Sequence, residues 1–366
     1  MKLLIARSNF FSYSETFIDQ QIKQLNPFAV LYEGWQPTRF YSGGSLYPFP
    51  LSLLAVRGTL RNLFPAIYQK IYTYFLKKYL QKNQIEAVLA NYGPLGSNVM
   101  QACAETNIPF SVHFHGFDAS EKKTIEAYGL LYIQMAQQAK AIIAVSQVMK
   151  TDIESVCGPL TNLHIVPYGV DLEKFQPAPE KKSSKEFRLI SVGRFTAKKA
   201  PIASIQSFEI LLNAFPEATF TMIGDGELWE AAKQYVQQHG LDKSVIFRGQ
   251  QNPETILDAL QQADAFIQHS VLTPSGDSEG TPNSILEASA CSLPIVSTKH
   301  AGIPEAVVNG ETGILVDEHD VKAMGQALIR LAENVELREK MGQAARKHML
   351  AHYELASQAQ KLKSLL

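Results

Sequence analysis

The sequence predicts an α/β protein of two domains, each a doubly wound parallel sheet covered by helices on both faces. Short apolar runs alternate with helical or polar segments along the chain, the pattern of parallel strands buried on both sides. The alternation stops at an aperiodic polar run, Ala178-Pro-Glu-Lys-Lys-Ser-Ser-Lys-Glu186, and then restarts. A length of 366 residues exceeds one usual domain, and length divided by ~150 points to two. These observations set an N-terminal domain at 1–170, a linker at 171–186 and a C-terminal domain at 187–352.

In the first domain, Lys2 to Ala6 reads as a buried strand, and Ser14-Glu15-Thr16-Phe17 opens a helical pattern through Ile18, Ile22 and Leu25. Residues 7–16 contain no glycine, which disfavours a nicotinamide-binding loop. Glu86 to Ala90, Phe110 to Phe114, Ala141 to Ser146 and His164 to Pro167 supply further strands. Ligands of such sheets collect at the carboxyl ends of strands. Three stretches fall there, Asn91-Tyr-Gly-Pro-Leu-Gly96, His113-Phe-His115-Gly-Phe-Asp118, and Ser146 at the end of Ala-Ile-Ile-Ala-Val. Gly116 lets the backbone bend so that His115 projects into a crevice, where imidazole can bond phosphate or a sugar hydroxyl. His113 is expected to point elsewhere along the strand, and Asp118 serves equally as a helix N-cap.

From Gly34 to Gln84 there is no Asp or Glu, whereas Arg39, Arg57, Arg61, Lys70, Lys77, Lys78 and Lys82 all occur among aromatic and aliphatic residues. The second half reads as a basic amphipathic helix suited to an anionic membrane surface, so residues 57–82 are a candidate peripheral contact. A solvated helix with its apolar stripe in the core is the alternative.

In the second domain Phe187 to Val192, Thr219 to Ile223, Val245 to Arg248, Ala265 to Gln268 and Pro294 to Ser297 read as strands. The first ends in Gly193-Arg194-Phe-Thr-Ala-Lys198-Lys199, three cations at a strand-to-helix turn that suit a diphosphate. Gly224-Asp-Gly226 would let a helix start close to the crevice floor, and His269 and Ser270 could face a ligand or simply pack. Asp277-Ser-Glu279-Gly280-Thr281-Pro-Asn283-Ser284-Ile285-Leu-Glu287 begins a helix at about 282, with Thr281 as its cap and Pro282 in its first turn. The free amides of Asn283, Ser284 and Ile285 beside Gly280 form a positive helix end for phosphate. Glu287, one turn in among apolar neighbours, needs donors such as sugar hydroxyls. The last segment, Tyr353 to Leu366, has an apolar stripe expected to pack back on the first domain.

Composition bounds the rest. The hydrophobic content is 46%, the charged content 19% and the formal net charge −1, which describe a globular chain without a global attraction for nucleic acid. Three widely spaced cysteines fit a reducing compartment, read as cytoplasmic, and no apolar run is long enough for a spanning helix or a signal peptide.

Several short patterns occur in a set order: His115-Gly-Phe-Asp118, Val166-Pro-Tyr-Gly-Val-Asp171 with Phe175, Val192-Gly-Arg194 with Lys199, Gly224-Asp-Gly226, Glu279 with Glu287, and Ala301-Gly-Ile-Pro-Glu305 with Asn309-Gly and Thr312-Gly. In these the chain resembles, over nearly its full length, the retaining glycosyltransferases of family 4. That resemblance implies the GT-B architecture of two facing Rossmann-like domains with a C-terminal helix crossing back. The N-terminal domain would bind an acceptor and the C-terminal domain a nucleotide-sugar donor. It also implies site roles. Arg194 and Lys199 would neutralise the donor diphosphate, Glu287 would bind ribose and Glu279 the donor sugar. His115 would act near that sugar, and Gly193, Gly224, Gly226, Gly280, Thr281, Asn283, Ser284 and Ile285 would line the donor site. Ser14, Glu15, Thr16, Asn91 and Asp118 would lie on the acceptor side. No cofactor and no metal is expected, because the cations and a helix end supply the charge stabilisation.

The loop Ser12-Tyr-Ser-Glu-Thr16 replaces the family's usual glycine-rich turn and resembles a branch tied to bacterial exopolysaccharide and colanic-acid-type assembly, where acceptors are often lipid-linked. Two positions that are commonly glycine in the family are Ala200 and Ser292 here. A hexose-type sugar transfer to a glycan or lipid-linked glycan is the expected activity. A nucleotide-sugar epimerase, a phosphorylase or a non-catalytic sugar-nucleotide or glycan binding protein are the alternatives.

Overall fold

The computed structural model describes residues 1–10, 15–48, 63–179 and 186–366. The chain divides into two compact units, Met1–Val166 with Ala359–Leu366, and Pro167–Gln358.

The first unit runs β1 (Leu3–Ala6), α1 (Thr16–Leu25), β2 (Ala29–Tyr32), β3 (Arg39–Phe40), α2 (Pro65–Lys82), β4 (Ala87–Asn91), α3 (Gly93–Thr106), β5 (Phe110–His113), α4 (Phe117–Ser120), α5 (Lys122–Gln138), β6 (Ala141–Ala144), α6 (Gln147–Cys157) and β7 (Leu163–Ile165). Its sheet has the order β3-β2-β1-β4-β5-β6-β7, parallel except for the β2–β3 pair. Strands β1, β4 and β6 are wholly buried, as near-continuous apolar runs covered on both faces must be. Two glycines set how closely α3 lies on this sheet. A Cβ on Gly93 would lie 2.6 Å from Phe114 and Tyr132, and one on Gly96 2.6 Å from Val112 and Met135.

The second unit runs β8 (Arg188–Val192), a 3-10 turn (Ala197–Lys199), α7 (Pro201–Ala214), β9 (Thr219–Ile223), α8 (Trp229–Gln238), β10 (Val245–Gly249), α9 (Pro253–Gln262), β11 (Ala265–Gln268), α10 (Asn283–Ala290), β12 (Ile295–Thr298), α11 (Ile303–Ala306), β13 (Gly313–Val316), α12 (Val321–Glu333) and α13 (Val335–His352). Its strands pair in the order β10-β9-β8-β11-β12-β13, all parallel. Leu189, Phe208, Phe220, Ile267, Val296 and Leu328 centre its core. The segment after Val166 is not a free linker at its start. Arg346 on α13 donates to the carbonyls of Phe175 and Leu172, and Phe175 is buried.

The last helix, α14 (Leu355–Ser364), leads the chain end into the first unit, where Leu362 and Leu366 join Leu3, Ile5, Leu89 and Ile143 in one core. Ser111 Oγ donates to the Leu365 carbonyl over 2.6 Å.

Two parallel strands escape the sequence reading, β2 and β13. Each is four residues long, too short to show a period of its own, and each is marked as a strand by its parallel pairing, β2 with β1 and β13 with β12.

Candidate active site

In the second sheet the strand order reverses between β8 and β11, so a crevice opens outside their carboxyl ends. Lys199 reaches it from the turn after β8. Its Nζ lies 3.2 Å from Glu279 Oε1 and 3.2 Å from Gln268 Oε1 at the end of β11. Burial lowers the pKa of Lys199, against the pull of Glu279. Burial would raise Glu279, but Lys199 and Lys198 outweigh it and hold the carboxylate below its usual range. The pair is therefore charged, largely dry and mutually compensated. Arg194, from the same turn, is exposed and forms no ion pair among the described residues.

The neighbouring cation has a different task. Lys198 is buried and donates to Asp277 Oδ1 (2.9 Å) and the Ser278 carbonyl (3.2 Å), fastening the loop that carries Glu279. Gln268, which the sequence does not single out, orients two site groups at once: its Oε1 accepts from Lys199 and from Ser284 Oγ (3.2 Å), and its Nε2 donates to Ser270 Oγ (2.8 Å). His269 packs. It is wholly buried, takes the His319 N–H at Nε2 (3.0 Å) and is pushed down to about 4 by burial.

Gly224 and Gly226 answer to backbone crowding. Their φ angles are +138° and +155°; a Cβ on Gly224 would collide with the Gly193 carbonyl, and one on Gly226 would come within 2.6 Å of the Phe195 carbonyl. A Cβ on Gly193 would meet the Lys199 side chain, Cε at 3.7 Å, in ordinary contact.

Helix α10 begins at Asn283, with Pro282 in the N-cap position and no side-chain cap, rather than with Pro282 in the first turn capped by Thr281. Extended backbone at Pro282 (φ −66°, ψ 118°) is the reason. Ile285 N–H is taken by the Pro282 carbonyl at 3.1 Å, so it is not one of the free amides; those of Asn283 and Ser284 make no backbone hydrogen bond among the described residues. Gly280 and Thr281 are buried, and the Gly280 carbonyl accepts from Gly302 N–H (3.1 Å). Glu287 is half-buried one turn into the helix, and burial pushes its carboxyl up to about 7 despite Lys174 nearby.

The first unit gathers a second set at the reversal between β1 and β4. His115 Nε2 lies 2.9 Å from Asn91 Oδ1, and an amide oxygen only accepts, so Nε2 carries the proton. Its ring sits 4.7 Å from Phe17, 4.8 Å from Tyr92 and 4.3 Å from His113. The two histidines are thus neighbours rather than divergent, because residues two apart on an extended chain share a face. Burial, with His113 adding, pulls His115 well below the usual histidine range. Asp118 is not a cap for its own helix. Buried completely, it accepts from the amides of His115 (2.9 Å), Gly116 (3.0 Å) and Gly93 (3.0 Å), tying the β5 loop to the start of α3; burial raises it to about 6.

Glu15 occupies the N-cap of α1 and accepts from Arg7 (3.2 Å), Tyr92 Oη (3.1 Å) and Asn9 (3.3 Å), and Thr16 is the first helical residue. Ser14 lies outside the described residues. Arg7, buried completely and also paired with Asp19, is the part of this cluster that the sequence hides, since nothing local marks a strand-end arginine. Tyr92 adopts φ +83°, strained for an aromatic residue at a strand end. Among the described residues no group of three or more His, Cys, Asp or Glu side chains is placed to hold a metal ion.

Two doubly wound, largely parallel-sheet domains place the chain in the GT-B architecture of glycosyltransferases. Comparison with known proteins specifies the family. Residues 173–348 match the model described as glycosyl transferases group 1, and 33–174 match Glycosyltransferase Family 4; the chain belongs to the GT-B glycosyltransferases that combine them. It is 27% identical over 250 residues to the putative colanic acid biosynthesis glycosyltransferase WcaL of Escherichia coli, covering 68% of this chain and 62% of that one. It is 30% identical over 220 residues to the amylovoran biosynthesis glycosyltransferase AmsK of Erwinia amylovora, covering 60% and 54%. The chain thus spans under two thirds of the length of these curated relatives. The solved structure of HepE from Anabaena in complex with UDP shares the fold, with a TM-score of 0.78, 17% identity and 100% and 99% coverage.

Proposed function

We propose that this protein moves a hexose-type sugar from a nucleoside-diphosphate sugar to a glycan or lipid-linked glycan in polysaccharide biosynthesis, with retention of configuration and without a divalent ion. The observation that carries the reading is Lys199, partly buried and charge-compensated beside Glu279, with exposed Arg194 and the amides of Asn283 and Ser284, which make no backbone hydrogen bond among the described residues, within the same unit. Fixed positive groups in a dry crevice stabilise charge as it develops on a departing diphosphate. Glu287 accepts from ribose hydroxyls, and Glu279 directs the sugar. The acceptor hydroxyl attacks the anomeric carbon on the face the phosphate leaves, and its proton passes to the departing phosphate oxygen. Glu15, Thr16, Asn91 and His115 belong to the acceptor-side unit in this reading, and Asp118 shapes it. The relatives named for colanic acid and amylovoran biosynthesis support the polysaccharide setting.

A peripheral membrane site at the cytoplasmic face fits α2. Ile67, Lys70, Tyr74, Lys78 and Lys82 are exposed at helical spacing, opposite buried Tyr68, Tyr72, Leu76 and Leu80, and Leu63 and Phe64 are exposed just before the helix. Arg57 and Arg61 lie outside the described residues. Among those residues no helix is long and apolar enough to cross a membrane.

Thermal shift with UDP, GDP, UDP-glucose and GDP-mannose tests the donor class, and no shift with any nucleotide would remove it. The anomeric proton coupling of the product reports retention, and turnover surviving EDTA reports metal independence. Flotation with anionic liposomes at low salt tests the membrane contact.

A further inference from the structure

We infer that His300 and Glu318 are positioning residues that hold the donor loop, residues 272–279, at both of its ends. The inference rests on the reading of Glu279 as the group that meets the donor sugar. The parallel register pairs Thr298 of β12 with Val316 of β13, so the residues two beyond each strand end come level. These are His300 and Glu318, and His300 Nδ1 lies 2.6 Å from Glu318 Oε1. The other atoms of this pair are both spent on the loop. Glu318 Oε2 accepts from Leu272 N–H (2.9 Å), and His300 Nε2 accepts from Glu279 N–H (3.1 Å).

A backbone N–H can only donate, so Nε2 is the unprotonated nitrogen and Nδ1 carries the proton toward Glu318. Both roles require this one tautomer. Burial of His300 to 3% exposure leaves little water to replace either bond. Lys198 fixes Asp277 and Ser278, just before Glu279, and the His300–Glu318 pair fixes the first and last residues of the loop. Together they hold the backbone from which Glu279 reaches Lys199. Side-chain acidity does not enter: what matters is which ring nitrogen accepts.

Three substitutions separate this role from simple packing. Glu318→Gln is close to isosteric but presents an amide donor to one of its two partners, which reverses the histidine tautomer or frees Leu272. His300→Asn keeps a donor near Glu318 and loses the acceptor for Glu279. His300→Gln restores an acceptor near the position of Nε2. Hydrogen–deuterium exchange of the ligand-free protein is expected to show faster exchange confined to peptides spanning 272–282 in Glu318→Gln and His300→Asn, with partial recovery in His300→Gln. Exchange at wild-type rates in that loop overturns the inference whatever the ligand, and so does a loss of protection spread evenly over the second unit. Calorimetry with UDP, GDP, UDP-glucose and GDP-mannose then reads the consequence. Glu318→Gln and His300→Asn are each expected to weaken the sugar nucleotide about tenfold while changing the free diphosphate less than about twofold. Glu279→Gln is the control for the underlying reading: if it binds sugar nucleotide as the wild type does while the loop exchange has changed, the role of Glu279 fails and the anchoring stands.

Discussion

Lys199 Nζ stands 3.2 Å from Glu279 Oε1 in a site where both side chains are at most 14% exposed. Removing one member leaves the other partly buried without its direct partner, at a cost of about 3 kcal/mol. Lys199→Ala is therefore expected to lower stability by about that amount and kcat by about a hundredfold or more. The double variant Lys199→Ala with Glu279→Gln should regain stability but not transfer, which denaturant melts and steady-state kinetics separate. Glu279 has a depressed pKa in the folded state, so its contribution is present above the unfolded carboxylate value and lost as pH falls through the folded one. Glu279→Gln should flatten the acid side of the stability profile.

Glu287 titrates in the opposite sense. Its folded pKa, about 7, lies above the ordinary 4.5, so the folded state binds more protons between those values and this group's contribution declines as pH rises through that window. Ribose hydroxyls are better bonded by the ionised form, so nucleotide affinity should rise with pH through about 7, with proton release on binding. Glu287→Gln should be more stable than the wild type at pH 8, by about 1–3 kcal/mol, yet bind nucleotide at least tenfold more weakly. Calorimetry in buffers of different ionisation enthalpy checks the proton release.

Ala200 and Ser292 both lie in left-handed backbone, at φ +37° and +60°. A side chain there costs roughly 1 kcal/mol relative to glycine. Ala200→Gly and Ser292→Gly are each expected to raise the melting temperature by a few degrees, the first with the greater interest because Ala200 sets the angle at which the Lys199 turn enters α7. A fall in stability for both would show that the surroundings, not the φ angle, govern these positions.

Arg346 joins the C-terminus of α10, through the Ala290 carbonyl at 2.7 Å, to the turn at Leu172 and Phe175. Charged donors on three carbonyls, one of them at a helix end, are worth about 2–3 kcal/mol together. Arg346→Ala is expected to cost that much and to raise KM for the donor more than it lowers kcat, because Glu287 rides on the helix it holds. Equal effects on both constants would detach Arg346 from the nucleotide site.

How much of this was legible before folding depends on the range of the information. The two rounds of strand and helix, and the cations after the first strand of the second unit, are written in neighbouring residues, because periodicity and turn chemistry are local. So are the acidic pair Glu279 and Glu287 and the bend at Gly116. The sequence could not tell that Lys198 would anchor a loop while Lys199 faces the crevice. That follows from the side on which a short 3-10 turn presents each residue. Nor could it show that His113 would touch His115, that Asp118 would be consumed by three amides, or that Arg7 would be buried under Glu15 and Asp19. The first depends on how the chain runs past the end of β5, and the others on meetings of the β5 loop with the start of α3 and of the end of β1 with α1, decided by tertiary packing. The pairing of Lys199 with Glu279 belongs to the same kind. The residue types and their chemistry were determined by the sequence alone, but their distances were fixed only when β8 and β11 became neighbours and brought together two loops remote along the chain.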